Sequence, residues 1–148
     1  DKQGGMWFTD HGKTYDRTRD RTGVFYAKPD GSMIKEVVFP MEGPNGIGLG
    51  PNDNKLYVAE TFTARVWQWE LAGPGELKRS PGVGGPLLEG PGGASLLTGL
   101  PGYQLLDSLA VDVDGWVHVA TIINGGVTAI SPDGKTIEHT ALPDPLTT

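Results

Sequence analysis

Asn45 and Asp107 are the two polar residues of this chain whose placement suggests shared chemistry. Each stands at the start of a short apolar run, Asn45 in Pro44-Asn45-Gly46-Ile47 and Asp107 in Leu106-Asp107-Ser108-Leu109-Ala110-Val111-Asp112. An amide oxygen and a carboxylate are hard oxygen donors suited to Ca²⁺ or Mg²⁺. Taken singly, each has a plainer reading: Asn-Gly is a common turn, and an Asp before Ser is a common cap or Asx-turn. The metal reading gains weight only if the fold brings the two positions together. Of the three histidines, His11 follows Asp10 at a strand end and can line a site or sit in an exposed loop. His118, between Val117 and Val119, reads as a sheet-face residue, and His139 as a surface one. Their spacing matches no zinc motif.

The elements that would position Asn45 and Asp107 are repeated. A block made of a turn, an apolar strand and a second strand occurs three times: at Gly4–Asp10 with Gly23–Gly31, at 45–49 with 55–60 and 65–69, and at 108–112 with 116–121 and 126–134. Trp7 precedes Tyr57 by 50 residues, and Tyr57 precedes Val117 by 60. Repeats of roughly 40–50 residues with about four short strands each are the signature of β-propeller blades. The sequence therefore predicts an all-β chain, about three consecutive four-stranded blades of an incomplete β-propeller, over 1–40, 44–80 and 105–142. A Gly/Pro-rich loop is expected over 81–104. In a propeller the innermost strands line one channel, so Asn45 and Asp107, 62 residues apart, are expected to converge on its axis. Because a propeller usually has at least four blades, the chain reads as an internal part of a larger protein, with the missing blades of the same polypeptide as its partners.

Composition agrees with this reading. The 23 glycines and 12 prolines among 148 residues punctuate short apolar runs, as in an all-β chain. A formal charge of −6 without a basic cluster argues against nucleic acid as a partner. The absence of cysteine excludes a disulfide framework and thiolate metal sites. No apolar run approaches the roughly 18 residues of a membrane-spanning helix, so no membrane partner is expected. Gly90–Leu97 is Gly-rich but lacks the Gly-Lys-Ser/Thr ending of a phosphate-binding loop. Trp67 and Trp69 share a strand face and are expected to pack between blades, as are Trp7 and Trp116.

Five strings, taken in order, resemble the gluconolactonase/regucalcin-like (senescence marker protein) lactonase family. They are Trp7-Phe8-Thr9-Asp10-His11-Gly12-Lys13, Pro44-Asn45-Gly46-Ile47-Gly48-Leu49, Leu56-Tyr57-Val58-Ala59-Glu60-Thr61, Asp107-Ser108-Leu109-Ala110-Val111-Asp112 and Ala120-Thr121-Ile122-Ile123-Asn124-Gly125-Gly126-Val127. The resemblance covers nearly the whole chain. It implies a six-bladed propeller with one catalytic divalent metal at the axis, Ca²⁺ first, with Zn²⁺, Mg²⁺ or Mn²⁺ as alternatives. The implied substrate is a small sugar-type lactone. Asn45 and Asp107 match two of the family's metal ligands. Ser108 resembles a further ligand, Asp107 or another carboxylate at the mouth would be the catalytic group that takes a proton from the attacking water, and Asp10 resembles a catalytic acid near the pocket, where His11 can meet substrate. The family's first-blade Glu ligand has no counterpart, and its Asn-Asp pair would lie upstream of Asp1, so this chain alone is expected to be inactive. The rival expectation is a non-catalytic propeller that serves as a binding or scaffold module.

Overall fold

The computed structural model describes residues 1–78 and 89–148. The first sheet contains β1 (Met6–Thr9), β2 (Thr22–Ala27) and β3 (Ile34–Met41), in that order. The second contains β4 (Pro44–Leu49), β5 (Lys55–Glu60), β6 (Arg65–Gly73), the short β7 (Glu76–Leu77) and β8 (Ser95–Gly99); β7 and β8 both pair with β6. The third runs β9 (Leu106–Val111), β10 (Val117–Thr121), β11 (Gly126–Ile130) and β12 (Ile137–Ala141). All pairings are antiparallel. The three sheets are successive blades, and β4 and β9 are the first strands of the second and third.

Strand β5 shows why these sheets stack. Leu56 and Val58 point into one core with Trp7, Val24, Tyr26, Val38, Met41 and Trp69. Tyr57 and Ala59 point into another with Val66, Leu97, Leu106, Val117, Val119 and Ile130. A strand buried on both faces reads as a continuous apolar run rather than an alternating one, as Leu56-Tyr57-Val58-Ala59 does. Trp7, Trp67 and Trp69 pack at the first of these interfaces, as expected. Trp116 is half-buried and belongs to neither core.

The stretch expected to be loop over 81–104 differs in part. Its portion from 81 to 88, like the expected end of the second repeat at 80, lies outside the described residues. Ser95–Gly99 within it is a strand, pairing Gln68 with Ser95 and Arg65 with Gly99. The flanking glycines and prolines hide a run of only five residues, but the outer edge of β6 has backbone groups to satisfy, and Leu97 is buried beneath it.

The first sheet has three strands, and the turns show how they correspond to the others. Asp1 Oδ1 accepts the N–H groups of Gln3 and Gly5, each at 2.9 Å. Asp112 Oδ1 accepts those of Asp114 and Trp116, also at 2.9 Å. Gly4 and Gly115 share a left-handed φ of 84°, the region that a side chain disfavours. Asp1 thus matches Asp112, the residue that follows the inner strand β9. β1 corresponds to β10 and, by packing, to β5, each the second strand of its blade. Trp7 and Tyr57 do match at their spacing of 50, but the third member is His118, paired with Ala110 as Tyr57 is with Gly48. Val117 is one residue short because the turn at 50–55 is one residue longer than the other two.

Candidate active site

Asn45 and Asp107 occupy the same step of two adjacent inner strands. Against Val58 and Glu60 of β5, β4 pairs Ile47 and Pro44; against Val119 and Thr121 of β10, β9 pairs Leu109 and Leu106. In each blade three steps of the inner strand face two of its neighbour, which is a β-bulge. Asn45 lies inside one bulge and Asp107 inside the other. A bulge bends the strand and re-aims a side chain, and bulges collect beside active sites.

Glycine brings the two strands into contact. A Cβ at Gly46 would lie 2.4 Å from the Asp107 carbonyl oxygen and 2.4 Å from the Leu109 nitrogen; one at Gly48 would lie 2.8 Å from Leu109 Cδ2. Only residues without a Cβ permit this approach. Two threonines then hold the backbone, Thr9 at the end of β1 and Thr61 in the 3-10 turn that follows β5. Thr9 Oγ1 donates to the Asn45 carbonyl at 2.6 Å, and Thr61 Oγ1 donates to the Leu106 carbonyl at 2.7 Å in a buried bond. The side-chain amide of Asn45 and the carboxylate of Asp107 are half-buried and make no hydrogen bond among the described residues. Two oxygen donors left without protein partners suit a hard divalent cation. Among the described residues no group of three or more His, Cys, Asp or Glu is placed to hold a metal.

The other expected residues lie around this pair. Ser108 is exposed. Its register matches Gly46, one residue on from Asp107 along β9. Asp10 is exposed, and its Oδ1 accepts the Gly12 N–H at 2.9 Å. His11 is half-buried, with its ring 5.3 Å from that of Phe62. Its Nδ1 is buried and lacks a partner among the described residues, as does the Oε1 of Gln104, three residues before Asp107.

Glu60 carries a role that the sequence did not signal. It is 2% exposed. Its carboxylate accepts the Glu42 N–H at 2.7 Å, the Trp67 Nε1–H at 3.1 Å and the Thr63 hydroxyl. These charge-assisted bonds fix the turn at 42–44 that delivers the chain to Asn45. Its apolar string drew attention to Glu60 only as part of a strand; its three donors come from separate places in the chain.

Stacked antiparallel blades whose inner strands present oxygen donors at matching bulges define a β-propeller segment with a candidate axial cation site. The SMP-30/gluconolactonase/LRE-like region matches residues 1–148, and the chain belongs to that family. It is 28% identical over 143 residues to the lactonase drp35 of Staphylococcus haemolyticus and 29% identical to that of Staphylococcus saprophyticus. In both cases 97% of this chain aligns with 40% of the relative, so the chain spans about two fifths of the length of these proteins. In fold it is similar to a gluconolactonase from Xanthomonas campestris (TM-score 0.71, 23% identity, 97% of this chain and 46% of that one). It is also similar to the calcium-binding protein regucalcin from Agrobacterium tumefaciens (TM-score 0.73, 18% identity, 99% and 44%).

Proposed function

We propose that these blades carry part of the catalytic centre of a metal-dependent lactonase that opens small sugar-type lactones to hydroxy acids. The observation that supports this best is the pair of matched bulges, which set Asn45 and Asp107 on touching strands with their side chains unbonded. Asn45 and Asp107 would hold one divalent cation, Ca²⁺ by preference for their oxygen donors, which when bound would polarise the lactone carbonyl and stabilise negative charge on its oxygen. With one Asp107 oxygen given to the cation, its other oxygen is the base: it takes a proton from the attacking water as the water oxygen bonds to the acyl carbon. The ring C–O bond then breaks, and the proton passes from Asp107 to the leaving ring oxygen. Asp10 contributes negative charge at the rim, and Ser108 has no place in these steps. Two protein ligands leave a hard cation largely hydrated, so the remaining blades of the full-length protein are required and the 148-residue chain alone is inactive.

The test is hydrolysis of gluconolactone by the full-length protein with added calcium, together with calorimetry of Ca²⁺ binding. Asp107→Ala and Asn45→Ala are each expected to weaken Ca²⁺ binding and lower kcat/KM by about 10²-fold or more. Hydrolysis and Ca²⁺ affinity that survive both substitutions would overturn the assignment and favour a non-catalytic binding module. Turnover by the 148-residue chain, abolished by Asp107→Ala, would overturn the need for further blades.

A further inference from the structure

The loop from His11 to Arg21 connects β1 to β2 at the end of the sheets where Asn45 and Asp107 lie, and it is internally ordered. Thr14 bridges Arg19, the Tyr15 N–H donates to the Thr18 carbonyl at 2.8 Å, and the Asp20 N–H donates to the Lys13 carbonyl at 2.9 Å. The Thr22 hydroxyl donates to the Asp10 carbonyl at its base. Arg21 Nε holds Glu42 Oε1 at 2.7 Å, tying the loop to the turn before Asn45.

This miniature hairpin places Arg19 over an aromatic ring. The guanidinium carbon lies 3.3 Å from the Phe62 ring centroid, a stacked cation–π arrangement. Among the described residues Arg19 has no carboxylate partner, and its guanidinium donates no hydrogen bond. The exposed guanidinium is held against the ring while its planar N–H edge is unused among the described residues, which is the form that captures a carboxylate bidentately. His11 also lies against Phe62, its ring tilted by 45° at 5.3 Å, and its buried Nδ1 has no partner among the described residues. A buried polar atom without a partner calls for an explanation, and a ligand group supplies one.

The stack belongs to the same rim as the candidate cation site. Phe62 follows Thr61, whose hydroxyl holds the carbonyl next to Asp107. A Cβ at Gly43, two residues before Asn45, would lie 2.5 Å from Phe62 and 3.3 Å from His11. In a chain of net charge −6, an anionic substrate is repelled overall, so an unpaired cation beside the site has a large effect on which lactone enters.

We propose that Arg19, stacked on Phe62 beside His11, binds the ionised carboxylate of a lactone that carries a second, acidic group, and so selects acidic over neutral sugar lactones. This rests on the lactonase reading and names the substrate class for it. The test compares glucarolactone, which bears a free carboxylate, with its neutral methyl ester, by calorimetry on the full-length protein. Glucarolactone is expected to bind at least tenfold tighter than the ester. Arg19→Met should erase that preference, a loss on the order of tenfold to a hundredfold, while ester affinity stays within twofold. Arg19→Lys, which keeps the charge but loses the planar fork, should fall between. Equal affinities for the two ligands, no binding of either, or a preference that survives Arg19→Met would overturn the proposal. Gluconolactone hydrolysis in the same preparations separates the two readings. Turnover without carboxylate preference removes the role of Arg19 alone. Carboxylate preference without turnover removes the catalytic reading and leaves the anion site.

Discussion

At the scale of single residues, what matters here is how polar atoms are satisfied or left unsatisfied. Asn45 and Asp107 keep free side chains because threonines bind the backbone beside them. Glu60, by contrast, spends both carboxylate oxygens on fixed donors. A titratable pair lies in the third blade, where His118 Nε2 is 3.0 Å from Asp112 Oδ2. That bond, aided by the Trp116 and Asp114 N–H groups, holds the Asp112 carboxyl below its ordinary value. A depressed folded-state value contributes stability above the ordinary carboxylate range, which is lost as pH falls through the folded value. In His118→Leu the Asp112 carboxyl is expected to titrate at higher pH, closer to the ordinary carboxylate range, read by carbon NMR of the carboxylates. Unchanged titration would show that His118 does not set the Asp112 ionisation. The pairing of Asn45 with Asp107 is legible in the sequence because both precede recurring strands. The roles of Thr9, Thr61 and Glu60 are not, because the carbonyls that the threonines bind lie 36 and 45 residues away and the Glu42 N–H that Glu60 binds lies 18 away, with no local pattern to mark them.

Among the elements, the contact between β4 and β9 decides the site. Gly46-Ile47-Gly48 reads in sequence as a weak strand, since glycine lowers strand propensity. Its use appears only when β9 is laid against it. Gly46→Ala is expected to force the Asp107–Leu109 backbone away and destabilise the protein by about 1–3 kcal/mol or more, seen as a lower Tm. Retained Tm and Ca²⁺ affinity would show that the strands yield without cost. The bulges in β4 and β9 belong to this scale too. One residue more on the inner strand than on its neighbour is a property of the pair, and neither strand alone reveals it. Strand β8 is the same case: its sequence is short and flanked by glycine, and its pairing is set by the open edge of β6.

The whole molecule is a stack of blades with two unlike ends. Strand β5 of the second sheet is buried on both faces, whereas the first sheet exposes Met6 at 58%, Ile34 at 67% and Phe39 at 55%. Contiguous exposed apolar surface favours association. The isolated 148-residue chain is therefore expected to sediment as oligomers, and Met6→Glu with Ile34→Lys to shift it toward monomer. A monomeric, sharply cooperative parent would contradict that expectation. By itself the sequence determined the class of fold, the repeat and the equivalence of Asn45 with Asp107, because strand length, turn residues and apolar spacing are local and recur along the chain. Only the tertiary structure decided that those two residues lie on touching strands, that each sits in a bulge, and that Arg19, Phe62 and His11 form one stack. Those relations join segments tens of residues apart, and they are set by how blades pack rather than by the pattern within any one of them.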